Sequence, residues 1–489
     1  MLMDPPLLAP PPLPDPPAAR SAAEDRQLRR LRAELRARDR EIQDLRDRLR
    51  SIQASDAWAI VRTLEQWRQA VAPIGTRRDR LARRLMRGLR RIKKLASSIA
   101  KTSARIGGRS RRPTIAGPIA TGRQAVVCLS VIDWDFRFQR PQQLMRCFAA
   151  AGHPVLYAAS RFHGGHEARV RPIETNVHEV ILPGDPATTI FRDTLADADR
   201  ARMLDAMARL ASERGLSDAV VVIQHPYWTP MAESLRDRLG WPIVYDCLDD
   251  HSGFWENAPE VLATERRLIA TADLVVASSR RLHDGIRARA RVSALIRNGC
   301  EFEHFAKVDE RPRSHTPTIG YYGAIADWFD ARLMAKLAAS RPEWRFELIG
   351  STLGGDVRAL EGLSNVRLLG ECPYPDLPDR IAGWDAFVIP FRRLPLTEAT
   401  NPVKIYEMLA TGRPVVAVGL PELRPIARRG LIRLAATPRG FAEAIEQALA
   451  EDDPTLAEAR RAFARRNTWA DRHRALTAAI EAITSRTPS

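Results

Sequence analysis

From residue 124 onward, short and continuously apolar runs alternate with longer stretches of helical periodicity, and few folds accept that pattern. Candidate strands fall at 125–132, 154–159, 177–182, 219–224, 243–247, 274–277 and 293–297. A second series follows at 318–322, 345–349, 366–369, 386–389, 415–418 and 431–434. A strand that is apolar on both faces must be covered on both faces, which is the condition of a parallel sheet between layers of helices. These thirteen strands are too many for one doubly wound sheet of usual size. The pattern therefore predicts two such domains, with a boundary near 300–317.

Charge separates this α/β region from what precedes it. The 489-residue chain carries a net +17, but residues 1–122 hold 28 Lys and Arg against 12 Asp and Glu. The remaining 48 basic and 47 acidic residues nearly cancel. A near-neutral α/β region suits a small-molecule enzyme and argues against a nucleic-acid binder. No apolar run reaches 18 residues, so no transmembrane helix is expected. Residues 1–17 are Pro-rich, carry Asp4 and Asp15, and lack the basic start of a signal peptide, so a cytoplasmic location is expected. The cysteines at 128, 147, 247, 300 and 372 form no Cys-x-x-Cys pair, which suits buried thiols in a reducing compartment.

The organisation expected is a disordered Pro-rich tail (1–20), a coiled coil (21–55), a basic helical segment and linker (56–122), and two domains (123–305 and 306–489). Leu28, Leu35, Ile42 and Leu49 occupy one heptad position, and Leu31, Arg38, Leu45 and Ile52 the other. That 3-4 spacing predicts a coiled coil, with a partner or a second copy of the chain, that Arg38 weakens. Residues 76–112 hold 15 basic residues and one acid, with Leu81, Leu85, Leu89, Ile92 and Ile99 at helical spacing. A basic helix with one apolar stripe fits the anionic inner face of the plasma membrane. Aromatic residues for base stacking are absent from it, so nucleic acid is not the expected partner.

Within the second domain, Asn401-Pro402-Val403-Lys404 opens a helix that Gly412 closes, with Asn401 expected as N-cap and Pro402 in the first helical position. A helix N-terminus offers free N–H groups and partial positive charge, a ready diphosphate site. Lys404 adds a full charge, and Glu407, three residues on, shares its face and could accept from ribose hydroxyls. Capping alone would explain Asn401, Pro402 and Gly412.

This stretch resembles the donor-binding helix of GT-B glycosyltransferases with a family 4-like C-terminal domain. Ile319-Gly320-Tyr321-Tyr322-Gly323 is similar to the first strand and loop of their donor domain. Asn298-Gly299-Cys300-Glu301 resembles the segment that closes their first domain, and Ala272 to Ser279 the strand before it. Asp133-Trp134-Asp135-Phe136-Arg137-Phe138-Gln139-Arg140-Pro141-Gln142-Gln143 resembles the first loop of a bacterial subgroup making teichuronic acid or exopolysaccharide. The resemblance covers roughly residues 124–480. It implies two facing Rossmann-like domains and transfer of a sugar from a nucleoside-diphosphate sugar to a glycan acceptor, lipid-linked, with retention. The donor residues implied are Gly323, Thr400, Asn401, Lys404, Glu407 and Arg392, with Arg393 beside it. One departure stands out: where many relatives carry two glutamates with seven residues between them, Glu407 matches the second and Ala399 occupies the first, Glu398 being one position early.

Asp249 and Asp250 follow a first-domain strand and would face the cleft. Paired carboxylates raise one pKa and suit proton transfer or acceptor orientation, although one could instead cap the next turn. Asp133 and Asp135 look like an Asp-x-Asp metal site but lie in a first βα loop, and no metal or other cofactor is expected. Trp134, Gln139, Arg140, His225 and Trp228 are the candidate acceptor contacts, with a packing role open for Trp228. Two other readings remain: a scaffold that binds nucleotide sugar without turning it over, and a nucleotide-sugar epimerase.

Overall fold

The computed structural model describes residues 122–254, 257–308, 316–451 and 453–485. The expected coiled coil and basic helix lie outside the described residues. Eight strands form the first sheet: β1 (Ala125–Leu129), β2 (Val155–Ala158), β3 (Arg169–Glu174), β4 (Val177–Ile181), β5 (Ala219–Ile223), β6 (Ile243–Cys247), β7 (Leu274–Ala277) and β8 (Ser293–Leu295). Their order is β3-β4-β2-β1-β5-β6-β7-β8. The second sheet holds β9 (Thr318–Tyr322), β10 (Arg345–Ile349), β11 (Val366–Gly370), β12 (Ala386–Ile389), β13 (Val415–Ala417) and β14 (Arg433–Leu434), ordered β11-β10-β9-β12-β13-β14. In each sheet the first parallel strand, β1 or β9, sits between neighbours reached in opposite directions. That is the switch point where a doubly wound sheet opens a crevice at its carboxyl ends.

The strands form where sequence patterning places them because their residues are buried on both faces; all five residues of β1, β5, β6 and β9 are buried. One strand beyond the thirteen expected is present, at the edge of the first sheet. β3 runs antiparallel to β4 at the sheet edge, buries only Val170, and keeps Pro172 exposed where no ladder hydrogen bond is lost.

Helix α1 (Arg140–Ala150) follows β1 and buries Leu144, Met145 and Phe148. Helix α2 (Val403–Ala410) opens one residue later than the sequence suggests, with Pro402 as the cap residue. Gly412 follows its end at φ +77°, in the left-handed conformation expected of it. Helix α3 (Trp469–Thr484) corrects the expected domain boundary. Thr468 caps it in a reciprocal pair with Asp471. Its Trp469, Leu476, Ile480 and Ile483 join the core of the first domain against α1, not that of the second. The chain therefore passes between the domains twice. The two passages lie side by side: the Cys300 N–H donates to the Asn467 carbonyl, and the Trp469 N–H to the Cys300 carbonyl, both at 3.1 Å. A Cβ on Gly299 would stand 2.8 Å from the Thr468 carbonyl carbon, so only glycine lets the passages approach this closely.

Candidate functional site

The site assembles from strand ends. β9 delivers Gly323 at φ +122°, and a Cβ there would lie 2.7 Å from the Lys404 Nζ. The adjoining Gly350, after β10, could carry no Cβ either, for it would sit 1.9 Å from the Gly323 carbonyl oxygen. Lys404, in the first turn of α2, is held between the Tyr321 and Phe391 rings, 4.8 and 4.7 Å from their centroids. It also donates to the Tyr321 hydroxyl at 3.3 Å. Burial, and secondarily the Arg137 charge, push its pKa down to about 8. One turn on, buried Glu407 accepts from the Tyr322 hydroxyl at 3.1 Å, and burial raises its pKa to about 7.

The first domain meets this site through Asp249. Its carboxylate accepts from the Thr400 hydroxyl at 3.1 Å, so the end of β6 touches the segment leading into α2. Burial raises the Asp249 pKa to about 6, while Thr400 and Arg140 oppose the shift. Asp250 is placed differently: it accepts from the Ser252 N–H and hydroxyl at 3.1 and 2.6 Å, capping its own turn. That is the capping alternative for Asp250.

The match that decides the chemistry covers the second domain: residues 316–451 correspond to the family described as Glycosyl transferases group 1. The chain is also 28% identical over 269 residues to TuaH of Bacillus subtilis (strain 168), described as a teichuronic acid biosynthesis glycosyltransferase, across 50% of this chain and 68% of that one. This chain is a glycosyltransferase. Its fold is GT-B. Sucrose-phosphate synthase from Thermosynechococcus elongatus superposes with a TM-score of 0.59 at 17% identity, covering 75% of this chain and all of that one. HepE of Anabaena, solved with UDP and glucose, superposes at 0.53 and 15% identity, covering 73% of this chain and all of its own.

Several expected contacts of the glycosyltransferase are committed elsewhere. Asn401 is not free for a donor. Its Oδ1 accepts from the Asn298 N–H at 2.8 Å, its Nδ2 donates to Glu422 and Tyr406, and its carbonyl accepts from the Asn298 amide at 2.6 Å. It is a buried tie between the domains, reinforced by Arg297 and the Arg280 N–H on Glu422. Arg140 is likewise committed: it pairs with buried Asp246 at 2.7 Å and donates to the Ile296 and Arg297 carbonyls, so it is a buried clamp between β6 and the end of β8. Trp228 is wholly buried and donates to the Ser130 carbonyl at 2.8 Å, which is the packing role. Trp134 is also buried, edge-on to Tyr157. His225 is buried too: its Nδ1 accepts from the Tyr227 N–H, which leaves Nε2–H to donate to Asn257. Burial lowers its pKa to about 4, so it is a neutral core histidine and not a sugar contact. Gln139 alone of the five acceptor candidates is exposed, at the mouth of α1.

Asp133 is bound to Arg161 and the Ser160 N–H, and Asp135 to Arg171, so neither carboxylate is poised as a metal ligand. Arg392 is exposed and donates to the Asp327 carbonyl, while Arg393 pairs with Glu398 at 2.6 Å. Glu398 also pairs with Arg281 of the first domain at 2.9 Å, so this early glutamate is a surface bridge; Ala399 behind it is buried. Gln142, to which the sequence pattern gives no role, donates its amide to the Trp134 and Arg137 carbonyls at 3.2 and 3.0 Å and fixes the first loop. Gln143, beside it, donates to Glu301 and to Tyr374 of the second domain. Two amides in succession at a helix start were the available signal.

Proposed function

We propose that this glycosyltransferase moves a sugar from a nucleoside-diphosphate sugar to a lipid-linked cell-surface glycan, without a divalent ion and with retention of configuration. Lys404 carries the reading. A half-buried ammonium beside a glycine-only strand end, in the first turn of a helix, suits a departing diphosphate without a metal. Glu407, on the same face, holds the ribose hydroxyls. Asp249 orients the acceptor hydroxyl from the first domain, with Thr400 between it and the donor. The anomeric bond to the diphosphate breaks as the acceptor oxygen bonds to the same face, and the hydroxyl proton leaves with the diphosphate. Glu398 takes no part in this scheme, and Ala399 offers no carboxylate, so the Thr400 hydroxyl and Asp249 supply the polar groups there.

Lys404→Ala and Glu407→Ala should each lower donor turnover by roughly 100-fold or more, the scale of removing one preorganised charge-stabilising group. Circular dichroism would verify folding; unchanged turnover in both variants sinks the assignment. The heptads at 24–54 and the basic segment at 76–112 would tether the enzyme to a partner or second copy and to an anionic membrane surface. Deleting 76–112 should abolish sedimentation with phosphatidylglycerol liposomes, and persistent binding would exclude that role.

A further inference from the structure

The first-domain loop sends one cation into the cleft that the scheme above leaves unassigned, Arg137. Its backbone is fixed by the Gln142 amide, which holds the Arg137 carbonyl at 3.0 Å. From there its guanidinium crosses to the second domain and gives both Nε and Nη2 to a single oxygen of Glu371, at 3.2 and 3.1 Å. Glu371 directly follows Gly370, the last residue of β11. Gly370, Gly350 and Gly323 stand at the ends of three adjacent strands, and all have positive φ. Together they form a ledge without side chains. Lys404 stands at one end of it and the Arg137–Glu371 pair at the other.

That pair is solvent-exposed, at 36% and 61%. Exposed pairs contribute little to stability, so Arg137 can change partners at small cost. Its charge already reaches Lys404, where it helps hold the ammonium pKa down. Two cations that repel across a cleft become a binding pair once an anion lies between them.

We propose that Arg137 is a second phosphate-binding residue of the donor site. When a nucleoside diphosphate enters, the guanidinium leaves Glu371 and pairs with the diphosphate opposite Lys404, drawing the first domain onto the second. Glu371 holds the side chain ready while the ledge is empty. This rests on the reading of Lys404 as the donor's phosphate contact.

Titration calorimetry of the full chain with UDP, GDP and dTDP, and with the matching nucleosides, tests it. Arg137→Ala should weaken diphosphate binding about 10- to 100-fold and leave nucleoside binding unchanged, the scale of one charge-assisted contact. Arg137→Lys should restore part of the loss. Glu371→Gln should tighten diphosphate binding, because it frees the guanidinium. Wild-type diphosphate affinity in Arg137→Ala, with a loss in Lys404→Ala, would overturn the role of Arg137 and leave the donor site standing. No change in either variant would remove the donor site itself, and this proposal with it. Weaker binding in Glu371→Gln would overturn the exchange of partners.

Discussion

Lys404 and Glu407 occupy positions that disfavour both their charges, which is expected of groups placed for a ligand and not for stability. The cost has a pH signature. The Glu407 pKa in the folded protein, about 7, lies above its ordinary 4.5, so folding binds this proton more tightly than the unfolded chain does. The resulting stability is full below the ordinary value and is lost as pH rises through 7. Glu407→Gln should therefore match the wild type near pH 5 and exceed it at pH 8, by on the order of 2–3 kcal/mol, in thermal or urea unfolding. Asp249 gives a kinetic counterpart. Thr400 donates to its carboxylate and so favours ionisation; Thr400→Val should move the acid limb of kcat/KM upward from about pH 6. An unmoved limb would assign it to another group. The sequence pattern alone puts Asp249 just beyond β6 and puts Lys404 and Glu407 in the first turns of α2. The commitments of Asn401 and Arg140 were not legible in it. Their partners Asn298 and Asp246 are 103 and 106 residues away, and local spacing cannot tell a free polar group from a satisfied one.

Among elements, the thirteen expected strands are present because continuous apolar runs leave a buried parallel strand little alternative. β3 escaped notice for the converse reason. With one buried side chain it lacks an apolar run, and its pairing with β4 is what makes it a strand. The start of α2 shifted because Asn401 spends its side chain on Asn298 instead of on the helix it precedes. α3 shows that sequence adjacency to the second domain does not fix which core a helix joins. Leu476→Ala should cost about 2–4 kcal/mol, and hydrogen exchange should report the loss in α1 and the first sheet. Loss of protection confined to the second sheet would contradict the packing.

For the whole molecule, the proposed donor and acceptor sites lie on separate domains, and Asp249–Thr400, Arg281–Glu398 and Arg137–Glu371 all span the cleft between them. A donor that bridges the domains should raise the melting temperature of the full chain. A thermal-shift screen with UDP-, GDP- and dTDP-sugars identifies the nucleotide, and Lys404→Ala should abolish the shift. Chain order and patterning were enough for the two-domain plan, because each sheet's identity is local. The paired passages at Cys300 and Asn467 were out of reach, since their bond joins segments that no periodicity relates. They carry a mechanical consequence. A single bridged pair joins the two passages, so both connections between the domains cross at one place. Any movement of one domain against the other must bend both connections there at once.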